Sequence, residues 1–317
     1  MRRVLLCAVW MGCAAAAPEA CAPCHRAQTA EFSRSGMTRA LARVAVPEKL
    51  TAKIGPYTYE LTSSTLSVTD GKESLTAPLD YAFGQGSVGQ TFLFQRDGRW
   101  YESRVSYYAT LKGLDLTMGV QNYPPRNLLE AAGRPTGAAE AGQCFDCHAT
   151  GVSRSPLNLD RMIVGIQCER CHGATEAHLK NVAPMRKLGA MTSEETSEFC
   201  GQCHRTWSQI ATAGPRGIQN VRFQPYRLAI SKCYDAVDRR IACTACHDPH
   251  RPLETSAAAY DAKCTACHAA AQSKGVCKVS SKDCVTCHMP RLDLPGAHRA
   301  FTDHNIRIAR AGERYPD

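Results

Sequence analysis

One short pattern, C-x-x-C-H, occurs seven times in this chain of 317 residues and limits its fold more than any other feature. The copies are Cys21-Ala-Pro-Cys24-His25, Cys144-Phe-Asp-Cys147-His148, Cys168-Glu-Arg-Cys171-His172 and Cys200-Gly-Gln-Cys203-His204, then Cys243-Thr-Ala-Cys246-His247, Cys264-Thr-Ala-Cys267-His268 and Cys284-Val-Thr-Cys287-His288. They use fourteen of the 18 cysteines and seven of the 11 histidines. At this composition about 0.04 copies would arise by chance.

The spacing has a direct chemical meaning. On a helical turn, residues i, i+3 and i+4 share one face, so both thiols and the imidazole point the same way. Two thiols can form thioethers to the two vinyl groups of a haem while the imidazole reaches its iron from one side. Rival chemistries fit less well. Zinc sites use C-x-x-C pairs, but a histidine directly after the second cysteine is not zinc spacing, and seven pairs do not divide into four-ligand sites. Thioredoxin-like pairs occur singly and lack the trailing histidine. Seven short disulfide loops would leave seven histidines unexplained. The motifs predict seven covalently bound c-type haems, with Cys21, Cys24, Cys144, Cys147, Cys168, Cys171, Cys200, Cys203, Cys243, Cys246, Cys264, Cys267, Cys284 and Cys287 as attachment points. His25, His148, His172, His204, His247, His268 and His288 are then the proximal ligands.

Composition agrees. Aromatic residues are only 7% of the chain, and the 44% hydrophobic fraction is inflated by Cys and Ala. The apolar core is thin for this length, so the haems themselves must fill part of the interior. The formal charge is +9. Each ferric haem with its two propionates adds a net −1, so seven of them bring the chain without Arg2 and Arg3 to about zero. The basic excess reads as the complement of the propionates and not as a nucleic-acid footprint. Charged residues at 21% exclude a disordered polyelectrolyte.

The first twenty residues read as a signal peptide: Arg2 and Arg3, an apolar run from Val4 to Ala17, and Ala15-Ala16-Ala17 as a cleavage site. Cys13 as a lipoprotein site and the arginine pair as a twin-arginine signal are weaker alternatives. No later stretch reaches 18 consecutive apolar residues. The expectation is an exported, periplasmic or extracytoplasmic protein, soluble after cleavage, which suits a cofactor attached outside the bacterial cytoplasm.

The motifs are unevenly placed. Arg26 to Gln143 contains none, whereas six fall between Cys144 and His288. In the motif-free stretch Tyr57-Thr-Tyr-Glu-Leu-Thr and Leu66-Ser-Val-Thr alternate in polarity, and Asp70-Gly71 marks a turn. Thr91 to Arg96, Asp97-Gly98 and Arg99 to Val105 read as a hairpin; Gly84, Gly86 and Gly89 read as a turn or bulge. The predicted organisation is a signal peptide at 1–20, a first haem segment at 21–44, a β-rich haem-free subdomain and linker at 45–142, and a six-haem domain at 143–317. The fold class is a mostly α or irregular multihaem cytochrome wrapped around stacked haems, with a small β-rich haem-free subdomain.

At this point the chain resembles the exported multihaem cytochromes c related to the tetrahaem electron acceptor of hydroxylamine oxidoreductase. The resemblance rests on Phe32-Ser-Arg-Ser-Gly-Met37 after the first motif, Gly165 to Gly173 running on to His178, and Cys284-Val-Thr-Cys-His-Met-Pro290 followed by His298 and Phe301-Thr-Asp-His304. Every motif ends in histidine, so the C-x-x-C-K signature of pentahaem nitrite reductases is missing.

A second imidazole on each iron must come from elsewhere, and the histidines outside the motifs are His178, His250, His298 and His304. All four are candidate distal ligands, with His298 and His304 expected on different irons. Met37 is the thioether candidate, or a packing methionine. Cys233 and Cys277 lie outside the motifs and could pair in an oxidising compartment. Seven irons outnumber the spare histidines. The leading function is electron transfer between redox partner proteins through stacked haems, with no nucleic-acid partner. Docking in a membrane-associated electron-transfer complex fits it, and the oligomeric state is open. The alternatives are oxidoreduction of a small nitrogen or sulfur compound at one open-faced haem, and a structural unit of a larger haem assembly.

Overall fold

The computed structural model describes residues 18–268, 277–310 and 312–317. Of the expected leader only residues 18–20 fall within it, in the short helix Pro18–Cys21; the rest lies outside the described residues.

The motif-free stretch folds into two antiparallel sheets. β2 (Val46–Ile54), β3 (Tyr57–Ser63), β4 (Thr65–Thr69) and β5 (Ser74–Pro78) form a four-stranded meander. The other sheet runs β1 (Leu41–Arg43), β6 (Tyr81–Phe83), β7 (Gly89–Arg96), β8 (Arg99–Ser103), β11 (Gly133–Thr136), with β9 (Val105–Tyr108) and β10 (Gly113–Leu116) joined to it through β7. The expected hairpin is β7–β8. Asp97 and Gly98, both at positive φ, make the turn and set Arg96 opposite Arg99. Strand period 2 then sorts the side chains. Phe92 and Phe94 enter a core shared with Tyr59, Leu61, Leu66 and Val68 of the meander. Leu93 points the other way and joins Tyr81, Phe83 and Trp100.

That second face docks the first of the closely spaced motifs. Helix Ala138–His148 buries Ala141, Gly142 and Phe145, a single stripe at helical spacing. Phe145 meets the rings of Tyr81, Phe83 and Trp100 edge-on, with centroids 4.9, 5.2 and 5.4 Å away. The β region thus positions the second motif directly.

One expectation needs correction. The chain is not dominated by helix: the β region extends from Leu41 to Thr136, and helices in the described residues are short, Ser193–His204 reaching 12 residues. The end of the 45–142 stretch carries helix Leu128–Ala132, strand β11 on the edge of a sheet, and the start of the second-motif helix.

From Cys168 onward the described residues form short helices and turns, with one antiparallel strand pair, Arg291–Leu294 and Arg299–Thr302. Local chemistry explains where they start. Thr192 with Glu195 and Thr206 with Gln209 are capping boxes opening Ser193–His204 and Trp207–Ala213. Cys233 and Cys277 are separate exposed thiols, so the disulfide considered between them is absent. Among the described residues no helix is long and apolar enough to cross a membrane.

Candidate cofactor-binding centres

Each motif sits on a helical turn, as its spacing requires. The fourth and sixth end the helices Ser193–His204 and Ala258–His268, while the third and seventh are the whole helices Cys168–His172 and Cys284–His288. In the first and fifth, the histidine N–H donates to the carbonyl of the first cysteine, at 2.9 Å in both Cys21–His25 and Cys243–His247. All fourteen motif cysteines are free thiols. Burial pushes the Cys144 thiol up to about 11. Among the described residues no three His, Cys, Asp or Glu side chains gather as a metal cage.

The imidazoles are arranged in pairs. His25 faces His178 with ring centroids 6.3 Å apart, His172 faces His250 at 6.0 Å, and His247 faces His304 at 6.2 Å. An imidazole nitrogen bonds a metal at about 2 Å, and the ring centre lies about 1 Å further on, so two imidazoles on opposite sides of one metal have centres about 6 Å apart. All three pairs have that spacing, and each joins a motif histidine to one outside the motifs.

The second ring nitrogens support the same geometry. A ligating histidine commonly gives its other N–H to a backbone carbonyl or carboxylate, which fixes the tautomer and aims the ring. His304 Nδ1 donates to the Thr302 carbonyl at 3.0 Å, His148 Nδ1 to that of Ala40 at 2.8 Å, and His288 Nδ1 to that of Arg307 at 2.9 Å. His250 Nδ1 lies 3.4 Å from the Asp248 carboxylate. His247 Nδ1 lies 3.4 Å from the Tyr260 hydroxyl, whose own proton goes to the Glu254 carbonyl. Burial pulls His148, His204 and His247 below the ordinary imidazole range, and His304 down to about 4. These rings are neutral at pH 7, the form that can bond a metal.

His298 is placed differently. Its Nε2 donates to the Asp115 carboxylate at 2.8 Å, its ring stands edge-on to Tyr108 at 4.6 Å, and its carbonyl accepts from the Thr110 hydroxyl at 2.7 Å. It pins the strand pair Arg291–Leu294 and Arg299–Thr302 to the β region and faces no motif histidine. His298 thus meets Asp115 of the β region, while His304 stands beside His247. Met37 ties the first motif to the third through its backbone: its carbonyl accepts from the Ile166 N–H at 3.0 Å.

The sequence reading missed the scaffold behind His304. Arg227 and Asp303 are both fully buried and form a two-pronged ion pair, Nε to Oδ1 at 2.8 Å and Nη2 to Oδ2 at 3.0 Å. Arg307 adds a third donor to Asp303 at 2.7 Å, and its carbonyl is the one that holds His288. Ser231 donates to the His304 carbonyl at 3.0 Å. Arg227 and Asp303 stand 76 residues apart, so no local signal could have joined them.

With this geometry in hand, three comparisons bear on kinship. The profile of the family described as "Cytochrome c554 and c-prime" matches residues 124–173, a segment holding the second and third motifs. The "Multiheme cytochrome MtrA" of Shewanella baltica (strain OS185) is 23% identical over 188 residues, covering 52% of this chain and 48% of that protein. The chain is similar to multihaem c-type cytochromes. It spans about half the length of this curated relative. The crystal structure of the "Outer Cell Wall Cytochrome OcwA" superposes with a TM-score of 0.55 at 14% identity, covering 91% of this chain and 78% of that one, a likeness of fold. Covalently bound c-type haem is what this kinship and the donor set both imply, and the paired imidazoles fit it.

Proposed function

We propose that this chain is an extracytoplasmic heptahaem cytochrome that carries electrons between redox partner proteins. The observation that supports this best is the set of three imidazole pairs at 6.0–6.3 Å, each built from one motif histidine and one distant histidine. In this reading the fourteen motif cysteines anchor seven haems. His25 with His178, His172 with His250, and His247 with His304 hold three irons from both sides. Bound haem supplies reversible one-electron chemistry at iron. The protein aims His247, His250 and His304 through their Nδ1 contacts, favours the neutral form of His247 and His304 by burial, and brings the motifs close enough for electrons to pass without a substrate pocket.

The test is a set of single substitutions read by electron paramagnetic resonance and by carbon monoxide difference spectra. His178→Ala, His250→Ala and His304→Ala are each expected to turn one low-spin haem high-spin. His298→Ala is expected to leave the low-spin signals as they were. High-spin conversion by His298→Ala, or none by the other three, would overturn the assignment.

A second reading rests on the same count. Among the described residues, the motif histidines His148, His204 and His288 stand outside the three pairs, and the spare imidazole of His298 is engaged by Asp115. Met37 is a thioether candidate for one of these irons. A face left without a ligand would bind a small nitrogen or sulfur compound. Carbon monoxide binding by the reduced wild-type protein supports this reading; a wholly low-spin protein without carbon monoxide response removes it.

A further inference from the structure

The chain order of the seven motifs is not their order in space. The first motif meets the third: the Ile166 N–H donates to the Met37 carbonyl at 3.0 Å, and His178, just beyond the third motif, faces His25. The third meets the fourth through Arg170, whose guanidinium lies 3.9 Å from Cys203 Sγ. The fourth meets the fifth: Cys200 and Cys243 are in thiol contact and their helices pack together. The fifth helix packs on the sixth. The sixth holds the seventh, since Asp261 accepts the Asp283 and Cys284 N–H groups at 2.8 and 2.9 Å.

The second motif stands off this line. Its Cys147 thiol lies 3.6 Å from the Gln202 carbonyl beside the fourth motif. Its helix packs on Ser193–His204. Its Asp146 takes Arg170 of the third motif at 3.5 Å, so the second motif borders both the third and the fourth. The opposite side of that helix is closed by the β region through Phe145.

We infer that the haem sites are not strung in chain order: the first joins the third directly, and the Cys144–His148 site is a side branch on the third and fourth that ends on the β region. The inference rests on reading the motifs as haem sites. The first and second motifs are then separate ends of the array, both apart from the fifth-to-seventh group. One chain of this shape can link a donor to two acceptors.

Film voltammetry with the holoprotein tests the order. Cys277 is an exposed thiol in the segment leading into Cys284 and serves as the handle on gold, with Cys233→Ser removing the other exposed thiol outside the motifs. The parent should exchange about seven electrons per molecule at fast scan. Removing the side branch with Cys144→Ser and Cys147→Ser should leave about six, because every other site stays connected. A path that followed chain order would strand the first site as well and leave about five. Where that variant does not fold, His148→Met keeps both thioether bonds and changes the branch site's potential, and should likewise leave about six fast electrons. Five fast electrons without the branch overturns the order. Fewer than seven haems on the parent by denaturing mass spectrometry instead overturns the reading of the motifs.

Discussion

Arg227→Met tests the buried scaffold most directly. The guanidinium is fully buried, gives Asp303 two hydrogen bonds at 2.8 and 3.0 Å, and gives the Pro316 carbonyl one at 2.7 Å. It also stacks on the Tyr315 ring at 4.5 Å. Methionine fills part of the volume but leaves Asp303 as a buried carboxylate short of its main partner. Breaking a buried pair from one side costs about 3–5 kcal/mol, because the stranded charge keeps its desolvation penalty. Arg307 still reaches Asp303 at 2.7 Å, which places the expectation at the lower end, about 3 kcal/mol. That is a large share of a typical stability of about 5–15 kcal/mol.

Urea unfolding followed by far-ultraviolet circular dichroism is the assay. With a slope near the upper end of the usual range, about 3 kcal/mol per molar, the midpoint should fall by about 1 M. Arg227→Lys keeps the charge but not the two-pronged geometry, and should fall between parent and Met variant. A loss below about 1 kcal/mol for Arg227→Met would refute the reasoning, since an exposed pair typically contributes that little.

Four further outcomes are expected. Denaturing mass spectrometry of the mature protein should show the polypeptide plus seven haem masses; five or fewer on a fully matured sample would remove at least two motifs from the reading. Phe145→Ala should cost about 3–5 kcal/mol by chemical denaturation, because the ring is fully buried among three aromatic neighbours and cannot be replaced by relaxation alone. Thr192→Ala deletes one arm of a capping box and should cost about 1 kcal/mol in the same assay. Gly165→Ala should loosen the first motif from the third, seen as faster hydrogen exchange at the Ile166 amide: Gly165 has φ +72°, and an added Cβ would run into the Thr38 carbonyl.

What could be read in advance followed the range of each signal. C-x-x-C-H is a local signal, and each copy lies on a helical turn. The hairpin at Asp97-Gly98 is local too, and the turn and strands are where the alternation puts them. The edge strand Gly133-Arg-Pro-Thr was hidden because it carries proline and glycine, residues tolerated only where a sheet edge asks for few ladder bonds. Helix Leu128–Ala132 is too short to display a period. His298 stands out in the sequence as a histidine near a motif; in the structure its Nε2 meets Asp115, 183 residues away in another sheet, a contact no local pattern displays. His304 differs from His298 by its Nδ1 bond and its burial, neither of which a sequence displays.

The three imidazole pairs show why spare histidines belong just downstream of motifs they do not serve. His178 follows the third motif and faces the first; His250 follows the fifth and faces the third; His304 follows the seventh and faces the fifth. A histidine so soon after a C-x-x-C-H turn is carried away from the side that its own motif presents, because the chain leaves that turn in another direction. Directing it to a different motif turns each pair into a cross-link between segments distant in sequence. A chain with 7% aromatic residues and short helices has few apolar contacts with which to fix such segments. In this reading each shared iron contributes to folding as well as to electron transfer, since metal binding at a site absent from the unfolded chain adds its free energy to that of the fold. The C-terminal segment is then held twice, by His304 against His247 and by Asp303 against Arg227. Loss of either hold should leave the other in place, so His304→Ala should keep the Asp303–Arg227 pair and lose only the spectroscopic signature of one site.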